Sequence, residues 1–331
     1  MRRIGIWLAG VMLAVGLLGC GGQAAERATI TAGGPAPLLL PAVAAVPGND
    51  PLRVVATTSI IGDIAGRVGG EAIALTTLMA AGQDPHSYQP AAADLAAAAD
   101  ADLIFVNGWG LEEGLIADLD AAGGAPLVPV SAGIAPRPSS ADARAADPHV
   151  WQDVANVMQW VDNIAATLSA ARPADAAAFA ANAAALRAEL ATLDEDIRTA
   201  TAAVPAARRV LVTNHDTLAY FAAAYDFRVL GSVIPGASTL AEATAANLAA
   251  LTDAMNAAGV CSLFVETTAA DQLARALSEE LDGCDTVRVL SLYSDALGPP
   301  GSGADSYTGM MRANMTTIVA ALGAEAQGSG G

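Results

Sequence analysis

From Leu52 onward the chain alternates short β-type runs with helical stretches. Leu52–Thr58 reads as a strand and Ile60–Val68 as a helix. Ala72–Leu78 and Leu103–Val106 read as two further strands, with a helix over Ala91–Ala99 between them. The rhythm returns later, with strands at Val210–Val212, Phe227–Val233, Leu263–Val265 and Val287–Leu290, and helices over Leu240–Ala258 and Ala270–Leu281. Strands alternating with helices predict parallel sheets with crossover connections. Between the halves lies a different texture. Val150–Ala171 and Pro173–Ala203 are helix-forming throughout, with no glycine. Pro173 suits a first helical turn and Pro205 an end. Thirty helical residues span roughly 45 Å, enough to link two lobes. The apolar positions are mostly small Ala, which favours a helix packed on both lobes over a polar coiled-coil arm. The expectation is an α/β protein of two lobes, each with a parallel sheet and flanking helices, joined by one long rigid helix.

The N-terminus changes this picture by adding an export signal. Met1-Arg2-Arg3 is followed by the apolar run Ile4–Leu18 and then Leu17-Leu18-Gly19-Cys20. A basic start and an apolar stretch of this length read as a secretory signal, too short for a comfortable membrane span. Leu-Leu-Gly-Cys resembles a bacterial lipobox, implying cleavage before Cys20 and lipidation of that residue; the alternative is an ordinary signal peptide with a chance cysteine. The expected organisation is a signal peptide over 1–19, a lipidated flexible tether over 20–51, an N-terminal lobe over 52–170, the linking helix over 171–205, a C-terminal lobe over 206–323 and a disordered tail over 324–331. Cys261 and Cys284 remain as an even pair. An exported protein makes a disulfide between them the natural reading, with two buried free thiols as the alternative. Every basic residue is Arg, and the formal charge is −18. That charge argues against nucleic acid or an anionic surface as partner and is compatible with cations.

Histidine carries the candidate chemistry. The chain has only three. His86 and His149 each close an Asp-Pro-His tripeptide, and His215 follows Val210-Leu211-Val212-Thr213-Asn214. The spacing excludes a zinc finger with clustered ligands, but each histidine sits in a loop-like place just after a strand or before a helix. Loops at the carboxyl ends of parallel strands are where open α/β sheets hold ligands. Neutral imidazole is a common nitrogen ligand for first-row metals, so the three predict one site assembled from distant segments. Asp295, in Ser294-Asp295-Ala296, is the best candidate for a fourth ligand because it follows the strand Val287–Leu290. Glu266, closing Leu263-Phe264-Val265, is a weaker candidate and a possible partner for a ligating imidazole.

Four segments then match a known pattern. They are Asp84-Pro85-His86-Ser87-Tyr88-Gln89-Pro90, Asp147-Pro148-His149-Val150-Trp151-Gln152-Asp153, Asn214-His215-Asp216 with Ala219-Tyr220-Phe221, and Ser294-Asp295-Ala296-Leu297-Gly298 with Asp305-Ser306-Tyr307. From about Leu52 to Leu322 the chain resembles the TroA-like metal-binding receptor lipoproteins of bacterial zinc and manganese ABC importers. The resemblance implies metal ligands at His86, His149, His215 and Asp295, two α/β lobes bridged by a helix, and anchoring to the cell membrane. In that family a histidine at the third ligand leans towards zinc and a glutamate towards manganese. Many zinc receptors of this kind carry a His-rich loop before the second ligand; Ser131–Ala146 here has no histidine. The expected function is capture of Zn²⁺, with Mn²⁺ the second candidate, and delivery to an importer permease driven by a separate ATPase. The chain is expected to be a monomer and not an enzyme. No Gly-x-x-x-x-Gly-Lys loop is present, so the ATPase is expected on another chain. A zinc-dependent hydrolase and an adhesion lipoprotein are the rival readings. A hydrolase would leave a coordination position open for water and place a base beside it.

Overall fold

The computed structural model describes residues 35–282, 284 and 286–324. The expected signal peptide, Cys20 and residues 325–331 lie outside these. The N-terminal half contains β1 (Leu52–Ala56), α1 (Ser59–Gly69), β2 (Ile73–Thr77), α2 (Ala92–Ala99), β3 (Leu103–Val106), α3 (Leu115–Ala122) and β4 (Leu127–Pro129). Two long helices follow, α4 (Val154–Ala171) and α5 (Ala176–Ala202). The C-terminal half contains β5 (Val210–Thr213), α6 (Ala219–Ala224), β6 (Arg228–Ser232), α7 (Ala245–Ala258), β7 (Ser262–Glu266), α8 (Gln272–Glu279), β8 (Arg288–Leu292) and α9 (Tyr307–Ala324).

Each half forms a four-stranded, wholly parallel sheet, in the orders β2-β1-β3-β4 and β6-β5-β7-β8. The orders are the same, so both sheets reverse direction beside their first strand. Parallel sheets are covered on both faces, and their central strands read as unbroken apolar runs. Accordingly β3 and β7 are buried at every position. All strands of a sheet end at one pole, where ligands bind near the reversal point.

The bridging helix α5 is 27 residues long, about 40 Å. Its buried side chains, Phe179, Ala183, Leu186, Leu190, Leu193, Ile197 and Thr201, recur every three or four residues and form one stripe. Each fully buried leucine there contributes about 1.5–3 kcal/mol relative to exposure. The helix meets both lobes along its length. Asn182 donates to the Val68 carbonyl at 3.0 Å near its start. Near its end Arg198 donates to the Ala224 carbonyl at 2.8 Å, and the Tyr225 hydroxyl donates to Asp194 at 2.9 Å. A single apolar core accordingly runs through β1, α1, α4, α5, α6 and α9.

Several local expectations shift. The stretch from Val150 opens as a 3-10 turn, Val150–Gln152, and α4 begins at Val154 because the Asp153 side chain caps the Ala155 N–H at 2.9 Å. Helix α7 starts at Ala245 rather than Leu240, since Thr244 caps it and pairs with Asn247. Helices α3, α6 and α9 and strand β4 were not expected. Strand β4 has three residues and ends in a proline, tolerable at a sheet edge but weak as a pattern. Cys261 and Cys284 are disulfide-bonded, with Cα atoms 5.7 Å apart. They flank the neighbouring strands β7 and β8, where parallel spacing brings them within reach.

The expectation of a flexible tether as far as Pro51 needs correcting. Residues 36–50 lie along the N-terminal lobe. The Val46 N–H donates to the Ala171 carbonyl at 2.8 Å, and the Gly133 N–H donates to the Leu38 carbonyl at 2.9 Å. Arg172 donates to the Asp50 carbonyl at 2.8 Å. Val43 and Val46 pack against the core. Leucine, valine and proline give this stretch apolar anchors and a stiff backbone, which a reading of its Gly, Ala and Pro content as slack chain overlooked.

Candidate metal centre

His86, His149, His215 and Asp295 come together between the two sheets, all buried, with one ligand atom from each lying within 4.8 Å of the others. Every one is carried past the carboxyl end of a strand or onto the start of a helix. His215 lies two residues beyond β5, and Asp295 three beyond β8. His149 caps the Val150–Gln152 turn. His86 sits in the loop after β2, which turns at Gly82 with φ +80°, a backbone state that suits glycine.

The ring nitrogens facing the centre are all Nε2. His149 Nε2 lies 3.3 Å from His86 Nε2 and 3.1 Å from His215 Nε2. Asp295 places Oδ1 3.8 Å from His149 Nε2 and Oδ2 3.6 Å from His215 Nε2. Asp295 Oδ2 is buried with no hydrogen-bond partner, while Oδ1 receives the Thr217 hydroxyl at 3.4 Å.

The opposite ring edges are held by acids. His215 Nδ1 is 2.5 Å from Glu266 Oε1, which also receives the His215 backbone N–H at 3.0 Å. His149 Nδ1 is 2.7 Å from Asp147 Oδ1, which receives the His149 backbone N–H at 3.0 Å. In each case a donating Nδ1–H leaves the Nε2 lone pair pointing into the site. His86 Nδ1 has a looser neighbour, Glu113 at 3.8 Å. Glu266, read from its strand end as a possible partner, therefore contacts His215. Asp147 was missed, although the tripeptide Asp147-Pro148-His149 contains it. The signal was present: an acid two residues before a histidine can reach both its ring and its backbone.

Burial and charge set the protonation of this cluster. Burial pushes His86 down to about 2, helped by the charges of its two histidine neighbours. It pushes His149 down to about 3, helped by His215. Burial also works against a charged His215, but the carboxylates of Glu266 and Asp295 outweigh it and raise this ring to about 9. Asp295 is raised to about 7 by burial, against the pull of His215, and Asp147 to about 7 for the same first reason. Among the four converging residues, the cluster thus holds between one and two protons at neutral pH, one on His215 and a fraction on Asp295.

The two lobes are pinned together around the site. Ser294 accepts from Trp151 Nε1 at 2.7 Å and from Gln152 at 3.1 Å. Tyr307 donates to the Trp151 carbonyl at 2.7 Å, and Tyr220 to the Asp147 carbonyl at 3.2 Å. Behind His149, Asn107 donates to the Pro148 carbonyl at 3.0 Å, and its own N–H is held by the buried Glu112 at 2.7 Å.

Residues 54–321 match the family model of ZnuA, the zinc-uptake complex component A, periplasmic. The chain belongs to this family. It is 33% identical over 271 residues to the manganese-binding lipoprotein MntA of Halalkalibacterium halodurans, covering 82% of this chain and 88% of that one. It is also 33% identical over 273 residues to the zinc-binding protein TroA of Treponema pallidum, covering 81% and 88%. The solved structure of the Treponema pallidum TroA protein superimposes with a TM-score of 0.76 at 32% identity, over 82% of this chain and 99% of that one. A manganese-bound periplasmic metal-binding protein from Candidatus Liberibacter asiaticus gives 0.74 at 29% identity, over 81% and 98%. The two-lobed, helix-bridged architecture is therefore that of the family.

Proposed function

We propose that this protein is an extracytoplasmic substrate-binding lipoprotein that captures Zn²⁺ through His86, His149, His215 and Asp295. It delivers the ion to the membrane permease of an ABC importer, driven by a separate ATPase. No helix among the described residues is long and apolar enough to cross a membrane. Metal binding and partnership with an importer are the business of the family, and its members are transporter receptors rather than enzymes. Which ion is carried, and by which four residues, is our reading.

One observation carries it. Three imidazole lone pairs and an unpartnered carboxylate oxygen face a common centre, with separations of 3.1, 3.3, 3.6 and 3.8 Å among neighbouring donors. A tetrahedral zinc with bonds of about 2.0–2.1 Å has edges of about 3.3–3.4 Å, so small adjustments complete the polyhedron. Once His215 has given up its proton, the lone pairs at such separations repel, and a cation at the centre reverses that. Four buried protein donors also fill a tetrahedral site and leave no position for the water that a hydrolase needs.

Manganese is the second reading, supported by the MntA likeness and by a carboxylate able to offer both oxygens. Three nitrogens favour zinc, because Mn²⁺ prefers more oxygen donors and stands lowest in the Irving–Williams order. Chelator-buffered competition titration of the parent and of His149→Ala tests the proposal. The expected result is one tightly held Zn²⁺ per chain, weaker Mn²⁺, and at least a hundredfold loss for His149→Ala. Unchanged Zn²⁺ affinity in the variant would overturn the four-residue site.

A further inference from the structure

The apolar stretch 36–50 precedes the family match, which begins at residue 54, and the transport reading gives it no task. Its course across the lobe is fixed at both ends. Asp50 and Val46 are held by Arg172 and Ala171 at the end of α4, beside the start of β1. That is the pole furthest from the metal centre, because α4 begins at Val154, next to His149, and runs 18 residues away from it, about 27 Å. At the other end, the Leu38 carbonyl accepts from Gly133, just beyond β4, and the Ala36 carbonyl accepts from Trp109 Nε1 at 3.4 Å, just beyond β3. Both lie at the carboxyl ends of the strands, the pole of the metal cleft. Eight residues from Val46 to Leu38 extend about 25–29 Å, which matches the height of α4.

The upper anchor is a fitted contact. A Cβ on Gly108 would lie 2.3 Å from Leu38 Cδ1, so glycine is what lets the leucine seat there. Gly108 itself adopts φ +100° and adjoins Asn107, which holds the peptide before His149. Prolines 35, 37, 41 and 47 keep the strap extended and remove N–H donors that an edge pairing would use.

We propose that this strap makes the cleft face the surface that the protein presents to the membrane. The inference rests on the reading of Cys20 as the lipid-bearing residue. Pro35 lies fifteen positions after Cys20, and whatever conformation the segment between them adopts it spans at most about 54 Å. With the strap in place, that leash is rooted beside the metal cleft. Were the strap free, the leash would run 31 residues to Pro51, up to about 110 Å, and be rooted at the opposite pole. The strap therefore halves the leash and moves its root by the height of a lobe, so that the site from which the ion leaves is held nearest the bilayer.

The test uses the full-length, lipid-bearing protein on vesicles of neutral phospholipid carrying an acceptor dye on the headgroup. Donor dyes are placed singly at Leu240→Cys, in the exposed loop beyond β6 on the cleft side, and at Glu71→Cys, in the turn before β2 at the far pole. The expected result is at least twofold stronger energy transfer from position 240 than from position 71. Combining either donor with Leu38→Asp and Val46→Asp should abolish that difference, while raising exchange of the backbone amides at Gly133 and at position 46. Equal transfer from the two positions in the parent overturns the strap's role. An unchanged difference in the variant whose backbone amides at Gly133 and at position 46 have become exchangeable overturns it too. Failure of the parent to float with the vesicles would instead overturn the lipid-anchor reading beneath it.

Discussion

Glu266→Gln separates the two things that the Glu266 carboxylate does to His215. Its Oε1 accepts the ring Nδ1–H at 2.5 Å and the backbone N–H at 3.0 Å, which aims Nε2 at the site. Its negative charge also makes Nε2 more basic, towards metal and proton alike. With Asp295, it raises His215 to about 9 against the opposing effect of burial. At pH 7 a metal must therefore displace a proton held about two pH units above ambient, a penalty of about 2.7 kcal/mol or a hundredfold in apparent affinity. Glutamine keeps the acceptor and the shape but removes the charge. Above pH 9 the proton no longer competes, and the variant should show the full loss expected for such a supporting acid, about 10- to 100-fold in Zn²⁺ affinity. At pH 7 the weaker base also binds its proton less tightly, so the loss should shrink to a few-fold or less. Chelator-buffered zinc titrations at pH 7 and pH 9.5 would measure both. An equal loss at the two pH values would refute the claim that Glu266 sets the proton on His215, and no loss at either would remove it from the site's support.

Three further outcomes follow from the same geometry. Calorimetry at pH 7 in buffers of different ionisation enthalpy should show between one and two protons released per Zn²⁺: about one from His215, raised to about 9, and a fraction from Asp295, raised to about 7, with none from His86 or His149, which are pushed down to about 2 and 3. Release of no protons would contradict this protonation pattern; affinity should accordingly rise with pH up to about 9. His215→Glu should narrow the preference for Zn²⁺ over Mn²⁺ by replacing a nitrogen with a harder oxygen donor, and a wider gap in competition titration would count against that logic. Unreduced protein should yield no labelled thiol from Cys261 or Cys284, and reduction should cost about 3 kcal/mol of unfolding free energy for a loop closed across a separation of 23 residues; two reactive thiols before reduction would mean that the pair is open.

Much of this architecture was legible because parallel sheets write themselves as apolar runs. β3, buried on both faces, stood out in full and β7 in its three central residues, while His86, His215 and Asp295 sat beyond strand ends and His149 at a helix start. Elements that lean on tertiary packing did not stand out. The three-residue β4 carries a proline, and the six-residue α6 is recognised by the burial of its own Tyr220, Phe221 and Ala222 rather than by any period. The strap failed for another reason. Proline, alanine and leucine without regular spacing look like slack chain, and only the hollow at Gly108 and the carbonyl of Ala171 turn them into anchors. Asp147 was hidden by its neighbour, since a proline between acid and histidine suggests a turn before it suggests a partner for the ring.

The central claim is that one ion is held by three imidazoles and one carboxylate. X-ray absorption at the zinc edge, on protein loaded with a single equivalent of Zn²⁺, addresses it most directly. The account predicts a shell of four or five light donors at about 2.0–2.2 Å, with the outer-ring scattering of three histidines that falls to two in His149→Ala. A shell of six oxygens with little imidazole scattering, or one unaltered by that substitution, would contradict it.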